Sequence, residues 1–137
     1  MSTATAQPSA LIGAYLAQGT VGNLGMPGAP IMHYSLVVVP STGSVSGIVE
    51  ITQAIAPPGG HIVVPNVKGV IRKTGFGSVT QIVALEGEYI QSVPPPAIGT
   101  YLVPFSAHLA IDDGWHGQGG FSYGGTTINN VPVTPKS

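Results

Sequence analysis

From Tyr101 to Ile111 the chain reads YLVPFSAHLAI, with Tyr101, Val103, Phe105, Ala107, Leu109 and Ile111 on one parity and Pro104, Ser106 and His108 on the other. Only an extended backbone sends every second side chain to the same side, so this stretch is a strand with an apolar inner face. Those six residues are its expected share of the core. Residues 78–90 repeat the pattern, with Val79, Gln81, Val83, Leu85, Gly87 and Tyr89 facing one way and Glu86 and Glu88 the other. Between the two runs lies VPPPAIG, a proline-stiffened turn.

The same signal recurs along the chain. Strands are expected at residues 11–21, 31–39, 45–55, 61–64 with a continuation at 67–73 beyond Pro65, and 126–133. Loops are expected at residues 22–30 (GNLGMPGAP), where Met26 is read as an anchor on the core, and in the glycine-rich segment that follows Asp112. No stretch has helical periodicity. Seven or eight strands at this spacing predict an all-β fold, an antiparallel β-sandwich or a partly closed β-barrel. Residues 1–10 read as a flexible tail, 11–134 as a single β domain and 135–137 as a C-terminal tail.

Glu50 to Pro65 (EITQAIAPPGGHIVVP) matches Glu88 to Pro104 (EYIQSVPPPAIGTYLVP) with one inserted residue in the second turn. Two similar strand-turn-strand units are implied. Gln53 and Gln91 fall on the apolar parity just before the prolines, where each amide is expected to bond carbonyls of its own turn.

Composition removes several function classes. The chain has no cysteine, which excludes disulfides, thiolate metal sites and cysteine nucleophiles. Four basic and five acidic residues leave a net charge of -1, with no formal charge before Glu50. Lys68, Arg72 and Lys73 form the one basic cluster and read as a solvated strand end, so nucleic acid is not an expected partner. The uncharged first third is broken by Gly, Pro and Ser, which argues against membrane insertion, and it has little electrostatic protection against self-association. No basic segment precedes the first apolar residues, so no secretory signal is read; the cytoplasm is the default expectation, with non-classical export left open.

Several motifs carry less chemistry than they suggest. Gly120-Phe121-Ser122-Tyr123-Gly124 has the G-x-S-x-G form of a hydrolase nucleophile elbow, but no acid, histidine or helical pattern follows it. His33, His61, His108 and His116 lack metal-site spacing, and no metal or cofactor is expected. Glu86 and Glu88 stand ~7 Å apart on one face of a strand, the ordinary spacing of two solvated acids.

Residues 112–125 (DDGWHGQGGFSYGG) are the candidate ligand-binding loop, with Asp112, Asp113, Trp115, His116 and Tyr123 as its residues. An exposed Trp115 stacking on a sugar beside polar Asp and His would make a lectin-like site. The competing reading buries Trp115 and Phe121 as plugs of an open end, the commoner fate of large aromatics. The leading expectation is a non-enzymatic binding or protein-interaction module, through an unknown protein partner or self-association; a carbohydrate-binding protein is the alternative.

Four segments together, GNLGMPGAP, VSGIVEITQAIAPP, VPPPAIG and GGFSYGGTTINNVPVT, resemble a family of small uncharacterised bacterial proteins defined as a domain of unknown function. The resemblance runs from Leu11 onward. It implies a single domain and carries over no activity, cofactor or site residue.

Overall fold

The computed structural model describes residues 13–54, 60–77 and 79–136. Eight antiparallel strands follow one another around a closed barrel: β1 (Tyr15–Val21), β2 (Ile31–Val39), β3 (Ser44–Thr52), β4 (His61–Phe76), β5 (Val79–Ser92), β6 (Thr100–Ile111), β7 (Gly117–Tyr123) and β8 (Thr126–Pro135). Each strand pairs with the next in sequence, and β1 closes on β8 through Gly19↔Pro135, Thr20↔Thr134 and Val21↔Val133. The choice between sandwich and barrel is therefore settled as a closed barrel. The expected tail at 1–10 lies outside the described residues, and β8 extends through Pro135.

Period-two alternation fills the interior. Val45, Val49 and Ile51 of β3, Val83, Leu85 and Tyr89 of β5, and Val103, Phe105, Ala107, Leu109 and Ile111 of β6 are all buried in one apolar cluster. Tyr101 departs from this set: it has the inward parity but is 50% exposed. Met26 is also exposed rather than anchored on the core.

β4 is one strand of sixteen residues, longer than the two pieces expected. A bulge between Gly47↔Val67 and Val49↔Val64 sets Ile48 against both Pro65 and Asn66. The extra residue absorbs a proline that has no N–H to give to a ladder, and it switches the inward parity from Ile62 and Val64 to Val67 and Ile71. That switch is why alternation read across Pro65 breaks down.

The two matched segments form equivalent hairpins, β3–β4 and β5–β6. Their registers differ: Ile51 pairs with Ile62, whereas Tyr89 pairs with Val103 instead of the equivalent Tyr101. A shift of two preserves the faces. It also moves Tyr101 up past the rim of the barrel. Gln53 donates from Nε2 to the Gly28 carbonyl, 3.0 Å away in the β1–β2 loop, and so ties two loops of one barrel end together. The amide of Gln91 makes no hydrogen bond among the described residues, so the expected bonding to its own turn is corrected there; residues 55–59 of the turn after Gln53 lie outside the described residues.

The glycine-rich segment expected as loop contains β7. Its glycines allow close strand approach: a Cβ on Gly117 would run into the Ala110 carbonyl oxygen of β6. Gly117→Ala is expected to cost roughly 1–3 kcal/mol of stability. Gly125→Ala, at a position with nothing within 4 Å, should change the urea midpoint little, and equal losses at both positions would contradict this packing.

Candidate functional site

The loop from β6 to β7 is built on Asp112. Its Oδ1 accepts the backbone N–H of Gly114 at 2.8 Å and of His116 at 2.9 Å, while its carbonyl accepts from Trp115 N at 3.1 Å. This is the local bonding by which an Asp side chain stabilises a tight turn. The His116 N–H is the main cause holding the Asp112 carboxyl below the usual carboxylate range; partial desolvation opposes it, and the Gly114 N–H and the nearby His116 ring add to it.

Trp115 takes a left-handed backbone conformation, with φ of 65°, at the crown of this turn. Its ring lies inside the barrel, 5% exposed. It stacks on Tyr34 at a centroid distance of 5.5 Å and donates from Nε1 to the Tyr15 hydroxyl at 3.3 Å. Burial also pushes the Tyr34 phenol up to about 12. The ring presents no free face to solvent, so the lectin-like reading loses its stacking platform.

The other expected site residues do not converge. Tyr123 is buried at the far end of β7, where its ring stacks on Phe121 with centroids 5.9 Å apart. Asp113 is exposed and accepts from Thr80 Oγ1 at 2.8 Å, and His116 is exposed with Nδ1 3.8 Å from Asp112 Oδ1. Ser122 of the G-x-S-x-G stretch shares a hydrogen bond with Thr127 Oγ1 at 3.0 Å across the β7–β8 hairpin. Among the described residues no group of three or more His, Asp and Glu is placed to hold a metal ion, and no helix is long and apolar enough to cross a membrane.

Pairing assembles two features that linear spacing hides. On the outer wall of β2–β4, His61 Nε2 lies 2.8 Å from Glu50 Oε2 and His33 Nε2 lies 3.0 Å from Thr52 Oγ1. Positions 33, 50 and 61 meet only through the registers His33↔Glu50 and Thr52↔His61, which depend on turn lengths. A shallow groove of about 510 Å³ beside them is lined by Gln18, Ile48, Thr134 and Lys136.

The second feature is a ribbon. β4–β5 pairing ends at Lys68↔Glu86 and β6–β7 pairing at Phe105↔Tyr123, but β5–β6 pairing continues to Ser92↔Thr100. Two strands thus project beyond the wall. Ile90 is 70% exposed, Leu102 59% and Ile98, in the turn, 99%. At the ribbon's foot Gly87 leaves room for the bulged part of β4: a Cβ there would lie 2.8 Å from Val64 Cγ1. A groove of about 870 Å³ on the outer side of this junction is lined by Pro65, Lys68, Glu88, Ile90, Leu102 and Pro104, among others.

Two outcomes follow from the Asp112 turn. Trp115→Ala should lower stability by roughly 3–5 kcal/mol, measured by urea denaturation followed by circular dichroism, because it empties the end of the core. The lowered Asp112 pKa means that its contribution is complete above the ordinary value of 3.8 and is lost as pH falls through the lower folded value. Thermal melts between about pH 5 and pH 2 should therefore fall more steeply for the wild type than for Asp112→Ala; parallel curves would show that the carboxylate does not hold the turn.

A comparison with curated proteins gives no match. The family model described as "Domain of unknown function (DUF1842)" matches residues 12–127, which take in all of β1 through β7 and the start of β8. The chain belongs to this family, DUF1842.

Proposed function

We propose that the protein is a non-enzymatic interaction module whose contact surface is the β5–β6 ribbon with the wall at its foot. The observation that supports this reading is the placement of Ile90 and Leu102 in water, on strands that no longer pair with β4 or β7, with Ile98 exposed in the turn that joins them. An isolated two-stranded ribbon is marginal in water, and exposed aliphatics clustered on one ribbon cost solubility without adding to the core. A partner that covers them recovers that cost. The barrel interior is packed with apolar side chains from all eight strands, which leaves recognition to the outer surface.

A photo-crosslinking residue at Leu102, introduced in living cells, tests the reading. Irradiation is expected to give discrete protein adducts from position 102 and none from Thr127, exposed on β8. Equal, diffuse labelling at the two positions, or none at either, would refute the contact surface.

A further inference from the structure

We infer that the occupant of this surface is a second copy of the same chain, docked face to face with its strands antiparallel. The inference rests on the reading of the ribbon as a contact surface and adds the identity and orientation of the partner. It comes from the distribution of charge over the outer wall of β4–β6. Arg72 lies at one end, paired with Ile82, while Glu86 and Glu88 lie toward the ribbon, with Lys68 registered opposite Glu86. All are exposed, and among the described residues none joins an ion pair; the pairs present are His61 with Glu50 and His116 with Asp112. Among the described residues this wall therefore carries Arg72 at one end and Glu88 at the other, neither in an ion pair, with Lys68 facing Glu86 between them.

Position along β5 gives the geometry. Ile82, the partner of Arg72, and Glu88 are separated by six residues of strand, about 20 Å. A two-fold axis running across the strands at the level of Leu85 interchanges these two levels. Arg72 of each copy then stands over the Glu88 level of the other. No like charges are superposed, because the Lys68–Glu86 row meets the row of Val70, Ala84 and His108. A parallel arrangement about an axis along β5 would set Glu86 over Glu86 and Glu88 over Glu88.

Shape agrees with that operation. The middle of the wall carries small outward residues, Ala84 and Ser106, flanked by the exposed aliphatics Val70 and Ile82 on one side and Ile90 and Leu102 on the other. Two convex walls alone touch along a line. The groove at the ribbon's foot supplies a concave counterpart, and the antiparallel operation brings Ile82 of one copy to that groove on the other. An isologous contact of this type closes on itself and yields a dimer, without open-ended growth.

Sedimentation velocity on the full chain from roughly 1 to 100 µM, with Arg72→Glu and Glu88→Arg as separate variants and as an equimolar mixture, tests the inference. The wild type should sediment as a dimer, each variant alone should dissociate at least about tenfold more readily, and the mixture should recover the dimer, because each variant supplies the charges the other now lacks. Both substitutions lie on exposed positions, and circular dichroism checks that each variant is folded. A monomeric wild type across the range, variants that dimerise as well as the wild type, or a mixture that stays dissociated would each overturn the antiparallel self-contact. A monomeric wild type that still gives discrete Leu102 adducts with another protein would overturn this inference while leaving the interaction-module reading intact.

Discussion

The structure depends on closure of the sheet between its first and last strands. β1 and β8 share only three registered pairs, extended at one end by Gly22 N donating to the Pro132 carbonyl at 3.0 Å and at the other by Lys136 N donating to the Gln18 carbonyl at 2.8 Å. Without this seam both strands would be open edges, and the inward faces of the other six would have nothing to pack around. Trp115 reinforces it from inside. The indole reaches from the β6–β7 corner to Tyr15 on β1 and Tyr34 on β2, so one side chain links the end of the sequence that closes the barrel with the end that opens it.

Closure also divides the molecule's chemistry. Apolar residues of every strand are used inside, and the few charges are distributed outside, where strand register decides which of them become neighbours. His61 and Glu50 pair because β3 and β4 align Thr52 with His61. Arg72 and Glu88 stay apart because β4–β5 pairing sets Arg72 of β4 against Ile82, six residues of β5 away from Glu88. The ribbon exists because β5 and β6 are longer than the strands beside them, and the bulge at Pro65 and Asn66 turns β4 away where the ribbon begins.

Much of this architecture is legible in the sequence, for a definite reason. Alternation in β2, β3, β5 and β6 is strict, and apart from Gln81 of β5 each buried inward set is apolar, so strand identity and face follow from parity alone. The reading fails where parity is interrupted or carries no information. Pro65 flips the face within β4. Gly117, Gly119 and Gly120 have no side chains with which to show a face, so β7 resembles loop until Ala110 and His108 are seen to need that space. Tyr101 has the correct parity at a height where the barrel has ended. At the candidate site the burial of Trp115 was one of two open readings, and only its positive φ and the Asp112 turn beneath it decide between them. The separation of Tyr123 from Asp112 is set by β7, the strand that composition concealed.

The pairing of β1 with β8 bears on how the protein is made. A ribosome releases the chain from β1 toward β8, so for most of synthesis β1 presents an unsatisfied edge, with Val21 and Ala17 lacking their final enclosure. Each hairpin can zip onto its predecessor as it emerges, since every other strand pairing is between sequence neighbours. The last seven-residue and ten-residue strands, β7 and β8, convert this growing curved ribbon into a barrel in a single late event. Until then the nascent sheet is an open template with almost no charge in its first three strands. The interval between the appearance of β1 and the release of β8 is when misassociation with other nascent chains competes most directly with folding.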